Sequence, residues 1–244
     1  MKKTVQQLVF LGATPFPELV DLVIDINKIE KTFEIIGILD DNETLHNTIF
    51  CGHKVLGPLI KAHDFDHSVK FVLGIGSHST RLIRHEILKR LDFPPERYQT
   101  LISPFARIFS TAKIGHGCII DPYAIISCNS MVNNFCTIKA NTIIGAGNLL
   151  GEGVLFTSLV MSTAHVKIGS FSFIGAHSSI AEGIEIGPGA LVSMSTYVTR
   201  NVEPGNTVFG NPLKTLSKVE VNEEILGRWE TLKEQFNKRN QSSE

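Results

Sequence analysis

The hydrophobic residues in the second half of the chain recur every six positions. From Ile102 to Glu203 the sequence divides into 17 consecutive six-residue blocks without an insertion. The first position is apolar in every block except the one that begins at Ser162, and the fifth is small or β-branched in nearly all of them. Because six is a multiple of two, both positions face the same side of an extended chain, whereas a helix would spread them around its surface. The pattern predicts stacked short strands that turn at every block around a filled interior.

An alternation of strand-like and helical patterns precedes the repeat. The predicted strands are Val5–Leu11, Phe33–Leu39 and Val69–Ile75, and the predicted helices are Glu18–Ile29 and Thr80–Leu91. This order predicts a small α/β Rossmann-like domain over residues 1–100, with its ligand-binding loops at the carboxyl ends of the strands.

Two carboxylates directly follow the second predicted strand. Asp40 and Asp41 lie where such folds bind a ribose or a base. The alternative is that both are ordinary turn residues before Asn42. The residues alone leave both interpretations open.

The composition excludes several classes of partner. The chain has 23 Lys and Arg against 24 Asp and Glu, so its charge gives no reason to expect a nucleic-acid or membrane-surface partner. No apolar stretch approaches the roughly 18 residues of a membrane span, and the run Leu8–Ala13 is too short for a signal peptide. The four cysteines have no metal-ligand spacing. We expect a cytoplasmic protein without a bound metal or a membrane-inserted segment.

Three motifs resemble those of a known family. The first motif is a "G-[FI]-x-D-D … G-x-x-V-L-G" signature, which is similar to Gly37-Ile38-Leu39-Asp40-Asp41-Asn42 with Gly52–Gly57. The next element of that signature is similar to Gly74-Ile75-Gly76 with Arg81. The third motif is a "P-x-x-x-x-x-G-x-P-[AL]-[KR]" ending, which is similar to the stretch from Pro204 to Lys214. The chain from residue 5 to about 215 thus resembles the hexapeptide-repeat nucleotide-sugar acetyltransferases related to sialic acid O-acetyltransferase and to the bacillosamine-pathway N-acetyltransferase. One departure is the loop Gly12–Pro17, where Pro15 and Pro17 remove backbone donors.

The resemblance implies an architecture and a set of ligand-binding residues. It implies a left-handed parallel β-helix over residues 101–215, in which three blocks make one turn of the coil, and a homotrimer. It also implies that the N-terminal domain binds a nucleotide sugar, and that acetyl-CoA binds along the coil. The substrate-binding candidates are Gly12, Asp40, Asp41, Gly57 and Arg81, and the cofactor-binding candidates are Gly175, Ser193, Asn211 and Lys214.

Transfer of an acetyl group from a thioester needs a general base and a donor for the developing oxyanion. In the family the base is a histidine, and the repeat contains His116, His165 and His177. With three blocks per turn, glycines would stack on both sides of His165, and its block is the one with a polar first position. We therefore predict His165 as the base, with His177 as the alternative, and backbone amides near Gly175 as oxyanion donors.

The family's own histidine positions do not match this chain. The base would fall on Ala164, and a second histidine, which contacts the thioester, would fall on Phe173. The stretch from His165 to Gly169 instead resembles the "H-x-K-I-G" form of serine acetyltransferases. The two hypotheses are an acetyl-CoA-dependent N- or O-acetyltransferase of a nucleotide-linked or free sugar, in the synthesis of a surface polysaccharide such as lipopolysaccharide, and a non-catalytic nucleotide-sugar-binding or scaffold β-solenoid.

The segment 216–244 follows the predicted coil. Within it, Val221–Asn240 has apolar residues on one side of a helix, among them Trp229 and Phe236. We expect this helix to pack on its own subunit or on a neighbouring one.

Overall fold

The computed structural model describes residues 5–13 and 16–241. Its N-terminal part is a five-stranded sheet of order β3-β4-β2-β1-β5, parallel except where β3 pairs with β4. The elements are β1 (Gln6–Leu11), α1 (Phe16–Ile29), β2 (Phe33–Leu39), β3 (Ile49–Phe50), β4 (His53–Gly57), β5 (Lys70–Leu73) and α2 (Ile83–Leu91). Short 3₁₀ helices span Glu43–Leu45, Leu59–Asp64 and Pro95–Arg97. Pro15 of the first loop lies outside the described residues.

The predicted strands and helices of this domain are confirmed, with ends that agree within two residues except at the start of the second helix. The second helix begins at Ile83 rather than Thr80, because the Ser77 and Thr80 hydroxyls hydrogen-bond each other's backbone amides and hold that turn open. The pair β3 and β4 was not predicted. The predicted apolar side of α1 is buried with β1, through Leu19 and Leu22 against Leu8.

The repeat forms a three-sided coil of two-residue strands. They are β6 (Leu101–Ile102), β7 (Arg107–Ile108), β8 (Lys113–Ile114), β9 (Ile119–Ile120), β10 (Ile125–Ile126), β11 (Met131–Val132), β12 (Thr137–Ile138), β13 (Ile143–Ile144), β14 (Leu149–Leu150), β15 (Leu155–Phe156), β16 (Met161–Ser162), β17 (Lys167–Ile168), β18 (Phe173–Ile174), β19 (Ser179–Ile180), β20 (Glu185–Ile186), β21 (Leu191–Val192) and β22 (Tyr197–Val198). Each strand pairs in parallel with the strand 18 residues later, as Ile125 does with Ile143. Three blocks therefore make one turn of the coil, as predicted.

The strands fall into three faces. Face A contains β7, β10, β13, β16, β19 and β22, and face B contains β8, β11, β14, β17 and β20. Face C contains β6, β9, β12, β15, β18 and β21, and it is extended by β23 (Asn206–Phe209) and by antiparallel β24 (Lys214–Lys218). Following the chain, the faces meet at an A–B corner, a B–C corner and a C–A corner.

The interior contains the first and fifth positions of the blocks, as predicted, and it explains the one polar first position. Ser162 is 1% exposed, and its Oγ accepts a hydrogen bond of 2.7 Å from Asn148 Nδ2. Asn148 Oδ1 in turn accepts from the Val166 amide at 2.8 Å. Two polar residues that depart from the pattern thus pair with each other, which removes the cost of burying either alone.

The corners depend on a left-handed backbone at the fourth position of the blocks, from Gly117 to Ser195. The φ angles there are 62° at Tyr123 and Phe135 and 59° at His165 and His177, and glycine occupies other turns. A side chain at this position stands at a corner, outside the packed interior.

The N-terminal domain packs on face C and on the B–C corner. The Arg84 guanidinium is completely buried there and donates to the Gly153 carbonyl at 3.1 Å and to the Phe135 carbonyl at 2.6 Å. Burial lowers its pKa to about 10, which leaves it charged at neutral pH. The ring of Tyr98 meets Phe135 edge-on at 4.8 Å between centroids.

The C-terminal helix α3 (Glu223–Gln241) packs on face B of its own chain, which confirms the first of the two expected positions. Trp229 and Phe236 are buried against Leu149. Lys233 binds the Glu185 carboxylate at 2.6 Å, so charge contacts flank the apolar seam. No helix in the described part of the chain is long and apolar enough to cross a bilayer.

Arg84→Ala should lower the free energy of unfolding by about 2–5 kcal/mol, because it leaves two buried carbonyls unpaired and opens a cavity. The matched control is Arg90→Ala, since Arg90 is half-exposed and pairs with Asp41 at the surface, and its loss should cost at most about 1 kcal/mol. Urea unfolding followed by circular dichroism measures both. Equal effects of the two substitutions would contradict this account of the domain contact.

Candidate active site

The predicted nucleotide-binding loops meet at the carboxyl ends of β1, β2 and β5. Gly12 follows β1 with a φ of 99°, and a Cβ added there would lie 2.4 Å from the Ile75 side chain. The Asp40 carboxylate accepts hydrogen bonds of 2.8 Å from the Ala13 and Asn42 amides. Asp40 therefore ties the first loop to the second, while its contact with a ligand stays a prediction.

Asp41 and Gly57 also hold this edge together. Asp41 accepts from the Leu59 amide at 2.9 Å and pairs with Arg90 at 2.5 Å. Gly57 has a φ of 140°, and its carbonyl accepts from the Asp40 amide. The predicted carboxylates thus shape the loops that would face a nucleotide.

A narrow cleft of about 90 Å³ lies between face C and the part of the N-terminal domain formed by α1 and the loop after β5. Leu19 and the Gly74–Gly76 loop form its upper wall, and Leu155 and Phe173 of the coil form its floor. Lys139 at the rim is held by Asp121 at 3.2 Å and by Glu18. Burial raises the pKa of Asp121, and the charge of Lys139 opposes that shift. The cleft thus lies between the two domains, on one side of the coil.

Arg81 clamps the loop after β5 to the coil. It is 6% exposed, its Nε donates to the Gly189 carbonyl at 3.1 Å, and its Nη1 donates to the His78 carbonyl at 2.5 Å. Burial lowers the pKa of this guanidinium. Its predicted contact with the substrate stays a prediction beside this positioning role.

His165 lies at the A–B corner, in the open space that the stacking predicted. A Cβ added at Gly147 would lie 2.8 Å from His165 Nδ1, and one added at Gly183 would meet nothing within 4 Å. The exposed imidazole lines a cavity of about 450 Å³, together with Lys113, Asn129, Phe236 and Arg239. No hydrogen bond links this imidazole to another described residue. The repeat could not predict that α3 lines this cavity, because α3 lies outside the coil.

The other histidines of the repeat stand at different corners. His177 is exposed at the C–A corner, where it is stacked between Leu159 and Ser195 as predicted. His116 is exposed at the B–C corner. Each corner thus carries one of the three histidines of the repeat.

The four predicted cofactor-binding residues gather at the C–A corner and the adjacent end of face C. Gly175 and Ser193 follow β18 and β21, and Asn211 and Lys214 lie at the turn between β23 and β24. The Gly175 amide donates to the Val192 carbonyl at 2.7 Å, and the Ser193 amide donates to the Val208 carbonyl at 2.9 Å. The coil therefore already uses the amide of Gly175 itself, and an oxyanion donor among the other backbone amides near Gly175 stays a prediction.

The structure brings the predicted residues together in two groups. The predicted nucleotide-binding loops, the cleft and the cofactor candidates share the side of face C, whereas His165 lies at the opposite A–B corner. One chain cannot bring His165 to its own cleft. Among the described residues, no group of three or more His, Cys, Asp or Glu side chains could hold a metal ion.

Comparisons with known proteins agree with this architecture. Residues 8–91 match the model of the PglD N-terminal domain family. The bifunctional protein GlmU of Synechococcus elongatus is 30% identical over 106 residues, which cover 41% of this chain and 23% of that protein. The chain thus spans about a quarter of the length of the curated relatives that it matches.

Two groups of solved structures share the fold. The acetyltransferase domain of PglB from Neisseria gonorrhoeae is 21% identical, with a TM-score of 0.75 over 86% of this chain and 100% of that one. PerB from Caulobacter crescentus, in complex with CoA and GDP-perosamine, is 16% identical, with a TM-score of 0.72 over 88% and 99%. The predicted fold class, a Rossmann-like α/β domain followed by a left-handed parallel β-helix and a C-terminal helix, is confirmed. The chain has the fold of the hexapeptide-repeat sugar acetyltransferases, with an N-terminal domain that matches the PglD family.

Proposed function

We propose that this chain is an acetyl-CoA-dependent N- or O-acetyltransferase of a nucleotide-linked sugar. One observation carries the proposal: a domain that matches the PglD N-terminal domain family lies over face C of a coil that has the fold of known acetyltransferases, with a cleft between the two. Solved proteins of this fold were captured with acetyl coenzyme A and with CoA and GDP-perosamine. We include synthesis of a surface polysaccharide and a cytoplasmic location in the proposal, because its substrates are a nucleotide sugar and acetyl-CoA.

The reaction needs one proton transfer and no covalent enzyme intermediate. The His165 imidazole takes the proton from the acceptor's amine or hydroxyl while that atom attacks the thioester carbonyl carbon. The new C–N or C–O bond forms, the C–S bond breaks, and the CoA thiolate takes the proton from the imidazolium. The loops around Gly12 and Asp40 hold the nucleotide, and the end of face C holds CoA.

This chemistry requires more than one copy of the chain, since His165 lies across the coil from its own cleft. Face A offers exposed apolar side chains for such contacts: Ile143 on β13, Met161 on β16 and Tyr197 on β22 are 38%, 42% and 44% exposed, with Ser179 of β19 between the last two. Aligned apolar side chains of this kind usually mark an interface. We propose a homotrimer in which face A of each chain contacts its partners.

The specific test is acetyl transfer to amino sugars linked to UDP, GDP and dTDP. Mass spectrometry should detect a gain of about 42 Da in one of them, the mass of an acetyl group in this class of transfer. His165→Gln should lower kcat about a hundred-fold or more, because an amide cannot accept the proton. His116→Gln is the control and should leave kcat unchanged, and a His165→Gln enzyme with full activity would refute the role of His165.

The trimer is tested by light scattering after gel filtration. The wild-type chain should have the mass of three chains, and Met161→Glu should shift it to one, since each interface would bury a carboxylate without a partner. Ile29→Glu changes a residue that is 74% exposed on the N-terminal domain and should leave the mass unchanged. A wild-type mass of one chain would remove the basis for a shared site.

Asp40→Ala should weaken UDP binding about ten-fold, because the loop at Ala13 loses the carboxylate that fixes it. Asp40→Asn keeps one acceptor oxygen and should lose less. Isothermal titration with UDP measures both variants, with Asp25→Ala on α1 as the surface control. An unchanged affinity of Asp40→Ala for UDP would show that this carboxylate has no role in nucleotide binding.

The alternative function is a non-catalytic nucleotide-sugar-binding or scaffold protein. Ala164 and Phe173 favour it, because they occupy the two positions where the resembling family carries histidines. Such a protein would bind a nucleotide sugar and give no acetylated product with any acceptor.

A further inference from the structure

The loop that follows β5 carries an imidazole outside the repeat, that of His78. Its turn is held by hydroxyls: the Ser77 amide donates to Thr80 Oγ1 at 2.9 Å, and the Ser77 and Ser79 hydroxyls are 3.0 Å apart. Arg81 then binds the His78 carbonyl while its Nε binds the coil at Gly189. The backbone of His78 is therefore fixed against the coil, while its side chain is exposed.

The His78 ring lies against face C at the cleft. Its centroid is 6.1 Å from that of Phe173, and the two rings meet edge to face at 72°. Phe173 lines the cleft together with Gly76 of the same loop, and Gly175 follows it by two residues. The imidazole thus lies between the nucleotide-binding edge and the first of the cofactor-binding candidates.

His85 and His177 also lie at corners that flank face C, and both are less suited to reach a ligand at the cleft. His85 is 3% exposed and packs edge-on against Phe171 at the B–C corner. His177 is part of a left-handed turn in the coil. Of these three histidines, only His78 combines an exposed ring with a contact to a residue of the cleft floor.

Acetyl transfer needs a hydrogen-bond donor for the negative charge that develops on the carbonyl oxygen. The amide of Gly175 itself does not supply it, because it donates to the Val192 carbonyl inside the coil, which leaves the neighbouring amides and any side-chain donor on this side. A neutral imidazole has one N–H that can donate instead. A donor fixed before the reaction loses little energy in reorganising, and the clamp on the His78 backbone provides such fixation.

We propose that His78 is a catalytic residue whose ring N–H donates to the thioester carbonyl oxygen during acetyl transfer. This inference rests on the proposed acetyltransferase function. As the acceptor atom attacks and gives its proton to the base, the carbonyl oxygen takes up the electron pair and His78 stabilises it. The pair returns when the C–S bond breaks and the thiolate leaves with its proton, so His78 ends the cycle unchanged.

Three substitutions at one position separate this role from packing. His78→Ala should lower kcat about a hundred- to a thousand-fold, with the KM for acetyl-CoA changed less than about three-fold. His78→Phe keeps a ring against Phe173 but has no donor, so it should be as slow as His78→Ala. His78→Gln keeps a donor and should recover about ten-fold of the loss. Full activity of His78→Phe, or no advantage of His78→Gln, would overturn the proposal.

A binding measurement keeps the inference separate from the proposed function. In NMR spectra of the histidine ring protons, the His78 signal, identified by its loss in His78→Gln, should shift when acetyl-CoA is added, and the His116 signal should not. Binding of acetyl-CoA that leaves the His78 signal in place overturns the role of His78 even if transfer occurs. Absence of any acetyl-CoA binding overturns the proposed function and this inference together.

A mixing experiment tests whether His78 and His165 serve one site from different chains. Oligomers co-expressed from His78→Ala and His165→Ala chains should recover about a quarter of the wild-type activity, because random assembly joins two intact histidines at that fraction of interfaces. Each variant alone is the control. Recovery supports His78 as a donor at a shared site, and no recovery overturns its joint action with His165.

Discussion

The left-handed backbone at the fourth position of the blocks, from Gly117 to Ser195, is the constraint on which the rest of the molecule depends. It turns the chain at every sixth residue, so the strands stack in register after 18 residues and the first and fifth positions point inward. Interior side chains are then fixed by their neighbours above and below. Side chains at the corners are free to vary, provided that they tolerate the turn, as His165 and His177 do. Chemistry on this scaffold therefore belongs to its corners and to whatever packs against its faces.

Interior departures from the repeat need not mark chemistry. Ser162 breaks the apolar pattern, yet its hydroxyl pairs with Asn148 from the previous turn, and both are buried with their hydrogen bonds made. The polar block is thus explained by packing, and it gives no separate support to His165. That histidine depends instead on its exposed corner and on the cavity that α3 completes. Sequence spacing could not pair Ser162 with Asn148, because the two lie 14 residues apart on adjacent faces.

Periodicity determined the fold, since a six-residue repeat has few solutions and an alternation of strands and helices has one common architecture. The site was less accessible, because the partners of a side chain are set by residues far away along the chain. Asp40 was predicted from its place after a strand, but its bonds to Ala13 and Asn42 arise only when two loops meet. Backbone amides near Gly175 were predicted as oxyanion donors, but the next turn of the coil supplies an acceptor, Val192, for the amide of Gly175 itself. Composition and spacing do not contain these contacts.

The three faces divide the work of the molecule, and this division explains where an imidazole can act. The N-terminal domain covers face C and the B–C corner, α3 covers face B, and face A stays open. Residues of the coil stack in columns of positions 18 residues apart, and the side chain at a given place on a face comes only from the residue of that column. Phe173 occupies one such place, and its ring carries no hydrogen-bond donor. No other residue of the repeat can put a side-chain donor at that place. A loop of the docked domain has no such restriction, and the loop that Arg81 clamps carries His78 onto the ring of Phe173. Docking of the N-terminal domain thus brings to face C a side-chain donor that no residue of the repeat provides at this position.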